Sequence, residues 1–180
     1  MQITHFKLTS SLVAVVVSVV LGFFSSSAFT IGVDADDFIA RASASGVAEI
    51  ESGKIALEKT TYPEIKQFAQ KMIENYASSN KDLRALAAKK DVEIADEAEL
   101  LDQAKAYVLK QREGESFDVA YVNNQIDAHK ATIQLYKDAS SSTDEDVRRL
   151  AATSLPRLEQ HLEEAEALVT VIARGSAAAH

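Results

Sequence analysis

FDVAYVNNQIDAHKATIQLYKDA, residues 117–139, is the stretch that decides the fold class. Within it Val122, Ile126, His129, Ile133 and Tyr136 recur at alternating steps of four and three. That spacing returns side chains to one face of an α-helix, which turns every 3.6 residues. One member of the stripe, His129, is not apolar.

The same periodicity extends in both directions, and no strand pattern competes with it. Phe38, Ala42, Gly46, Glu49, Gly53 and Ala56 predict a helix from about Asp36 to Thr60, with Asp34, Asp36 and Asp37 supplying a cap and favourable charge at its start. Pro63 suits the first turn of a second helix reaching about Lys90, with the stripe Ile65, Phe68, Ala69, Met72, Tyr76, Leu83 and Ala87. Residues 91–96 read as a loop and Glu97 to about Arg112 as a short helix. A third long helix covers about Ser116–Ala139. The last runs from Thr143 or Asp144 to about Arg174 on Val147, Ala151, Ser154, Leu158, His161, Ala165, Leu168 and Ile172. Pro156 falls inside it and should kink it. Short turns between long amphipathic helices imply antiparallel neighbours. The expected architecture is all-α: an antiparallel four-helix bundle over 36–174, with a short extra helix between long helices 2 and 3. Residues 29–35 are expected to be flexible, and residues 175–180 to form a disordered tail.

Composition narrows the function classes. The 180 residues are enough for one domain with a sizeable core, and 47% hydrophobic content excludes a disordered chain. With no Cys there is no disulfide, no thiolate metal site and no Cys nucleophile. Any metal must be held by His, carboxylate, Tyr or amide oxygen. Residues 1–28 read as a signal peptide: Lys7, an apolar run through LVAVVVSVVLGFF, then small residues at Ser26 and Ala28. The alternative is a retained anchor, but the run is near the lower length limit for a span and no basic cluster follows it. Export to the periplasm or the medium is the expectation, with no stable membrane span after cleavage. Lys7 is the only charge in that segment, so the formal charge goes from −8 to −9 without it. An acidic domain repels phosphate backbones, which argues against nucleic-acid binding. The remaining partners are another protein, or a second copy meeting it through helix faces.

Four stretches carry a family resemblance: FIARASASGVAEIESGKIALEK at 38–59, EIKQFAQKMIENYASSNKDLRALAAKKDV at 64–92, the stretch at 117–139, and LAATSLPRLEQHLEEAEAL at 150–168. Together they resemble the exported bacterial family known as domain of unknown function 4142, over about residues 36–170. The resemblance implies a ferritin-like four-helix bundle in a periplasmic or extracellular setting, and no established reaction. The family's second motif usually reads Met-x-x-Asp-His, where this chain has Met72, Ile73, Glu74, Asn75 and Tyr76. An acid has become Asn75 and an imidazole has become Tyr76.

Four polar residues interrupt the long stripes, one taken from each: Glu49, Tyr76, His129 and His161. Each lies near the middle of its helix, so an antiparallel arrangement can bring them to one height. A buried carboxylate is costly unless paired, liganded or protonated. Two readings follow. The four form a hydrogen-bond network without an ion, or they hold a divalent transition metal such as zinc, copper, iron or manganese. A third is that helix rotation carries some of them to the surface. A ferritin-type di-iron centre needs Glu-x-x-His motifs, and the residues three before His129 and His161 are Ile126 and Leu158. No phosphate loop, nucleophile elbow or His-Glu-x-x-His is present, so no catalytic residue is assigned and an enzyme is not expected. The expected role is a binding or structural protein of the cell envelope, with metal binding at Glu49, Tyr76, His129 and His161 as the alternative.

Overall fold

The structure, a computed structural model, describes residues 33–178. The expected signal peptide over 1–28 lies outside the described residues. Among those described the chain is all-helical, with five helices: α1 (Ala35–Lys59), α2 (Pro63–Lys90), α3 (Leu100–Lys110), α4 (Gly114–Ala139) and α5 (Glu145–Ala178). None is long and apolar enough to cross a membrane.

Local chemistry sets the helix ends. The Asp34 carboxylate caps α1 by accepting from the Ala35 amide, and Pro63 opens α2. Asp91, at φ 57°, stops α2 in a left-handed cap. Gly114, at φ 56°, takes the positive-φ step between α3 and α4 that a side chain would strain. It starts α4 rather than ending the short helix, which closes at Lys110. α5 runs four residues past the expected end at Arg174. Gly175 there lies against Tyr62, and the Ser176 hydroxyl donates to the Ile172 carbonyl and to Glu115. Pro156 is accommodated inside this helix, which continues on both sides of it.

The four long helices share one core. α1 packs along α2, α4 along α5, and contacts between α1 and α4 and between α2 and α5 complete the circuit. Ion pairs report direction: Lys71 meets Glu164 at 2.6 Å and Lys89 meets Asp146 at 2.6 Å, so α2 runs against α5. Ser45 bonds Thr132 and Ser52 bonds Gln125, so α1 runs against α4. Phe38, Ile65, Met72, Phe117, Tyr121 and Leu83 are among the largest fully buried side chains. Burying each large apolar side chain contributes roughly 1.5–3 kcal/mol, the main force against chain entropy.

The expected stripes are buried except at Ile126 and Ser154, which are half-buried. On α4 the inward residue is Gln125, and Ile126 sits at the half-buried edge. α3 differs in kind. Leu109 is its one buried residue, while Leu100, Leu101, Tyr107 and Val108 are exposed. It lies across α1 and α4 as a cover.

Two glycines set the α1–α2 spacing. A Cβ at Gly53 would stand 3.1 Å from the Ala69 carbonyl oxygen and 2.9 Å from Ile73 Cγ1, and one at Gly46 would strike the Asn80 amide. A side chain at Gly53 must therefore push α2 away. Gly53→Leu is expected to lower stability by about 1–3 kcal/mol in urea unfolding, as overpacking does. The exposed neighbour change Lys54→Leu should be near neutral. Equal stability of the two variants would contradict the close contact.

Candidate functional site

The four polar residues expected to interrupt the stripes are all buried. Glu49 is 3% exposed, Tyr76 5%, His129 0% and His161 1%. They come from α1, α2, α4 and α5 and lie at one level, because the helices run in opposite directions past the same midpoint. The surface alternative is thereby ruled out for all four.

His129 is held from both sides. Its Nδ1 lies 2.8 Å from the Gln125 carbonyl one turn earlier on α4. A carbonyl only accepts, so Nδ1 carries the proton. Nε2 is then free to accept from the Tyr76 hydroxyl at 3.2 Å. His161 accepts at Nε2 from the Asn75 amide at 2.9 Å, and its Nδ1 is buried without a partner. The two imidazoles meet edge to face, with ring centroids 5.6 Å apart and planes at 89°. The Tyr76 ring lies 6.0 Å from His129 and 6.1 Å from His161. Phe68 stacks obliquely on His129 at 6.3 Å.

Burial controls the charges here. It is the main cause that lowers His161 from 6.5 to about 4, helped by His129, Lys71 and Arg157. His161 is therefore neutral at pH 7. Glu49 is raised above the ordinary carboxylate value by burial, offset in part by His129 and the Gln125 amide. Burial and the charge of Glu49 push the hydroxyls of Tyr76 and Tyr121 well above 10, so both phenols keep their protons.

Glu49 stands apart from the histidine pair. It faces a cleft between α1, α3 and α4, and its Oε2 has no hydrogen-bond partner. Among the described residues no three His, Asp or Glu side chains come together so as to hold a metal ion. The structure thus brings His129, His161 and Tyr76 together and leaves Glu49 outside that group. Sequence reasoning missed two members of the layer. Asn75 was noted only as a departure from the family's motif. Gln125 is 2% exposed and supplies both the carbonyl under His129 and an amide that donates to Ser52.

The family model for a domain of unknown function, DUF4142, matches residues 25–168. The chain belongs to the DUF4142 family. No curated protein matches this DUF4142 member. A solved structure described as "CopM in the Cu(I)-bound form" is similar, with a TM-score of 0.63 and 16% sequence identity. The match covers 76% of this chain and 95% of that one. At that identity the likeness is one of fold.

The His161 shift gives a test. The unfolded chain takes up a proton below about pH 6.5, whereas the folded one resists until about pH 4. The stability this group contributes is complete above pH 6.5 and is lost as pH falls towards 4. Glu49, with a raised value, acts in the opposite direction, so a variant is needed to isolate the histidine. His161→Gln should lose less stability than wild type between pH 7 and pH 4.5 in urea titrations. Parallel losses in the two proteins would show that His161 titrates normally.

Proposed function

We propose that this protein is a ferritin-like four-helix bundle that binds a transition-metal ion at the buried pair His129 and His161, with Tyr76 beside them. The observation that carries this is the meeting of two buried imidazoles, one of which has a ring nitrogen with no partner. Buried polar atoms are nearly always partnered, and the orphaned Nδ1 can serve as a ligand once its proton moves to Nε2, the other tautomer of the same neutral ring. A neutral imidazole has one lone pair; on His161 it lies at Nε2, where Asn75 now donates, so coordination there displaces Asn75. The carbonyl contact behind His129 is the arrangement that orients an imidazole whose other nitrogen is a ligand.

The donors favour one kind of ion. Zinc takes four ligands and calcium or magnesium takes six or more oxygens, which two imidazoles and a phenol do not supply. Copper in the +1 state is content with fewer donors and accepts imidazole or thioether. Met72, fully buried one turn before Tyr76 on α2, is the available thioether. The fold neighbour was solved with Cu(I), which agrees with this choice at the level of fold. Zinc, iron and manganese rank behind it. A leader over residues 1–28 would place such a protein in the periplasm or outside the cell, where it would bind metal as a carrier or buffer.

A second reading has its own support. Tyr76, Gln125 and Asn75 already satisfy both nitrogens of His129 and one of His161. On that reading the layer is a structural network, and the protein acts as a binding or structural envelope protein through its helix faces. Anaerobic titration of metal-free protein with Cu(I) separates the two. The proposal expects an equivalent of bound Cu(I), lost in both His129→Asn and His161→Asn while circular dichroism shows them folded. Absence of Cu(I) binding by wild type, with only a lower unfolding midpoint in the variants, would establish the network instead.

A further inference from the structure

The polar layer is open to solvent on one side. The cleft between α1, α3 and α4 has a volume of about 40 Å³ and is lined by Ser45, Glu49, Ser52, Asp102, Lys105 and Gln125, among others. That is room for a few water molecules, or for an ion that keeps part of its hydration. Outward it shares Ser45, Asp102 and Lys105 with a larger groove of about 190 Å³.

The floor of the cleft is polar and unpartnered. Glu49 Oε2 and Gln125 Oε1 are both buried without a hydrogen bond, on residues 3% and 2% exposed. The Tyr121 hydroxyl, one helical turn before Gln125, is likewise unpartnered. The Gln125 amide oxygen only accepts, and the Glu49 carboxyl, raised by burial, accepts when ionised, so a cation or a donor would satisfy both. Leaving them empty costs the desolvation of each group. Gln125 also faces the other way, since its backbone carbonyl receives the His129 proton. Neither histidine lines the cleft, and Gln125 is the residue that touches both the cleft and His129.

The other approach is electrostatically unfavourable for a cation. On the α2–α5 side Lys71 is paired with Glu164 at 2.6 Å, which leaves Arg157 as the unbalanced charge near His161, and Asn75 closes its Nε2. On the α3 side the acids are Glu49 and Asp102, with Lys105 tied to Asp102 at 2.8 Å. The cover there is weakly held. α3 has one buried residue, and a segment with so little burial opens locally at low cost.

We propose that this cleft is the path by which a metal cation reaches His129 and His161, with Glu49 as the carboxylate that first receives it and α3 as the cover that moves. This inference rests on the metal-binding reading above. Glu49 in this role guides and relays the ion. The histidines keep it. The arrangement explains why an acid is retained at the core level yet sits outside the imidazole pair.

Rates test the path, and final stoichiometry tests the reading beneath it. Metal-free protein is mixed anaerobically with Cu(I) presented as its bicinchoninate complex, and loss of the complex's colour is followed in a stopped-flow instrument. Glu49→Gln removes the charge while keeping the shape. Ala106→Leu, on the inner side of α3 and lining the cleft, narrows the passage without removing a polar partner. Both variants should take up Cu(I) at least roughly tenfold more slowly than wild type, the low end of what focused charge does for an on-rate. Ala106→Leu should still end at the wild-type amount. Uptake at the wild-type rate in either variant overturns the path. So does loss of the bound ion in Glu49→Gln, which would make Glu49 a ligand. Wild type that takes up no Cu(I) overturns the metal reading, and the path falls with it.

Discussion

The hydrogen bonds that run from Tyr76 through His129 to the Gln125 carbonyl tie this structure together. Apolar side chains pack in many registers at similar energy, because the force that buries them has no direction. Hydrogen bonds do have direction. His129 is fully buried, and its two nitrogens are satisfied only when α2 presents Tyr76 and α4 keeps its regular turn at Gln125. Asn75 on α2 then reaches His161 on α5. A slip of any long helix by one turn would break several of these contacts together and leave buried donors and acceptors without partners. The layer thus selects one arrangement from those the apolar stripes would allow. Ion pairs at the surface agree with that register but are worth far less, about 0–1 kcal/mol each.

The same features that fix the fold support the proposed reading of the layer as a binding site. Desolvation keeps His161 neutral, and a neutral imidazole has a lone pair to give. The Nδ1 of His161 and Oε2 of Glu49 are buried without partners, as are oxygens of Asn80 and Asp118 elsewhere in the fold. Glycine at positions 46 and 53 brings α1 close to α2, which holds Glu49 at the level of Tyr76. α3 contributes little to the core and covers the side on which that acid lies. Burial, close packing and a loose cover therefore belong to one design: a polar centre that is dry but not sealed.

Much of this was legible in the sequence. Stripes at steps of three and four located the four long helices to within a few residues. Polar residues near the middle of apolar stripes picked out Glu49, Tyr76, His129 and His161, since burying a polar group is rare enough to be a signal. One error concerns which residues of α4 face inward. Ile126 looked like the inward residue of α4 because it is apolar, but the face that holds His129 holds Gln125 one turn earlier and turns Ile126 to the edge. The amide run at 123–125 carried no hint of this, because Asn and Gln are ordinary on surfaces. Glu49 faces a cleft beneath α3, whose exposed Leu100, Leu101 and Tyr107 make its sequence read like a core helix. The partner at His161, Asn75, lies beside the stripe rather than in it, and only the packing of α2 on α5 reveals it.

The most direct test of the central layer is long-range ¹H–¹⁵N correlation of the imidazole nitrogens at pH 7 in metal-free protein. The structure predicts a His129 ring held in one tautomer with its proton on Nδ1, and a neutral His161 ring whose signals do not titrate until the pH is well below 6. Tautomer-averaged signals for His129, or an imidazolium pattern for His161 at pH 7, would contradict the buried, directional layer on which both the fold and the proposed site depend.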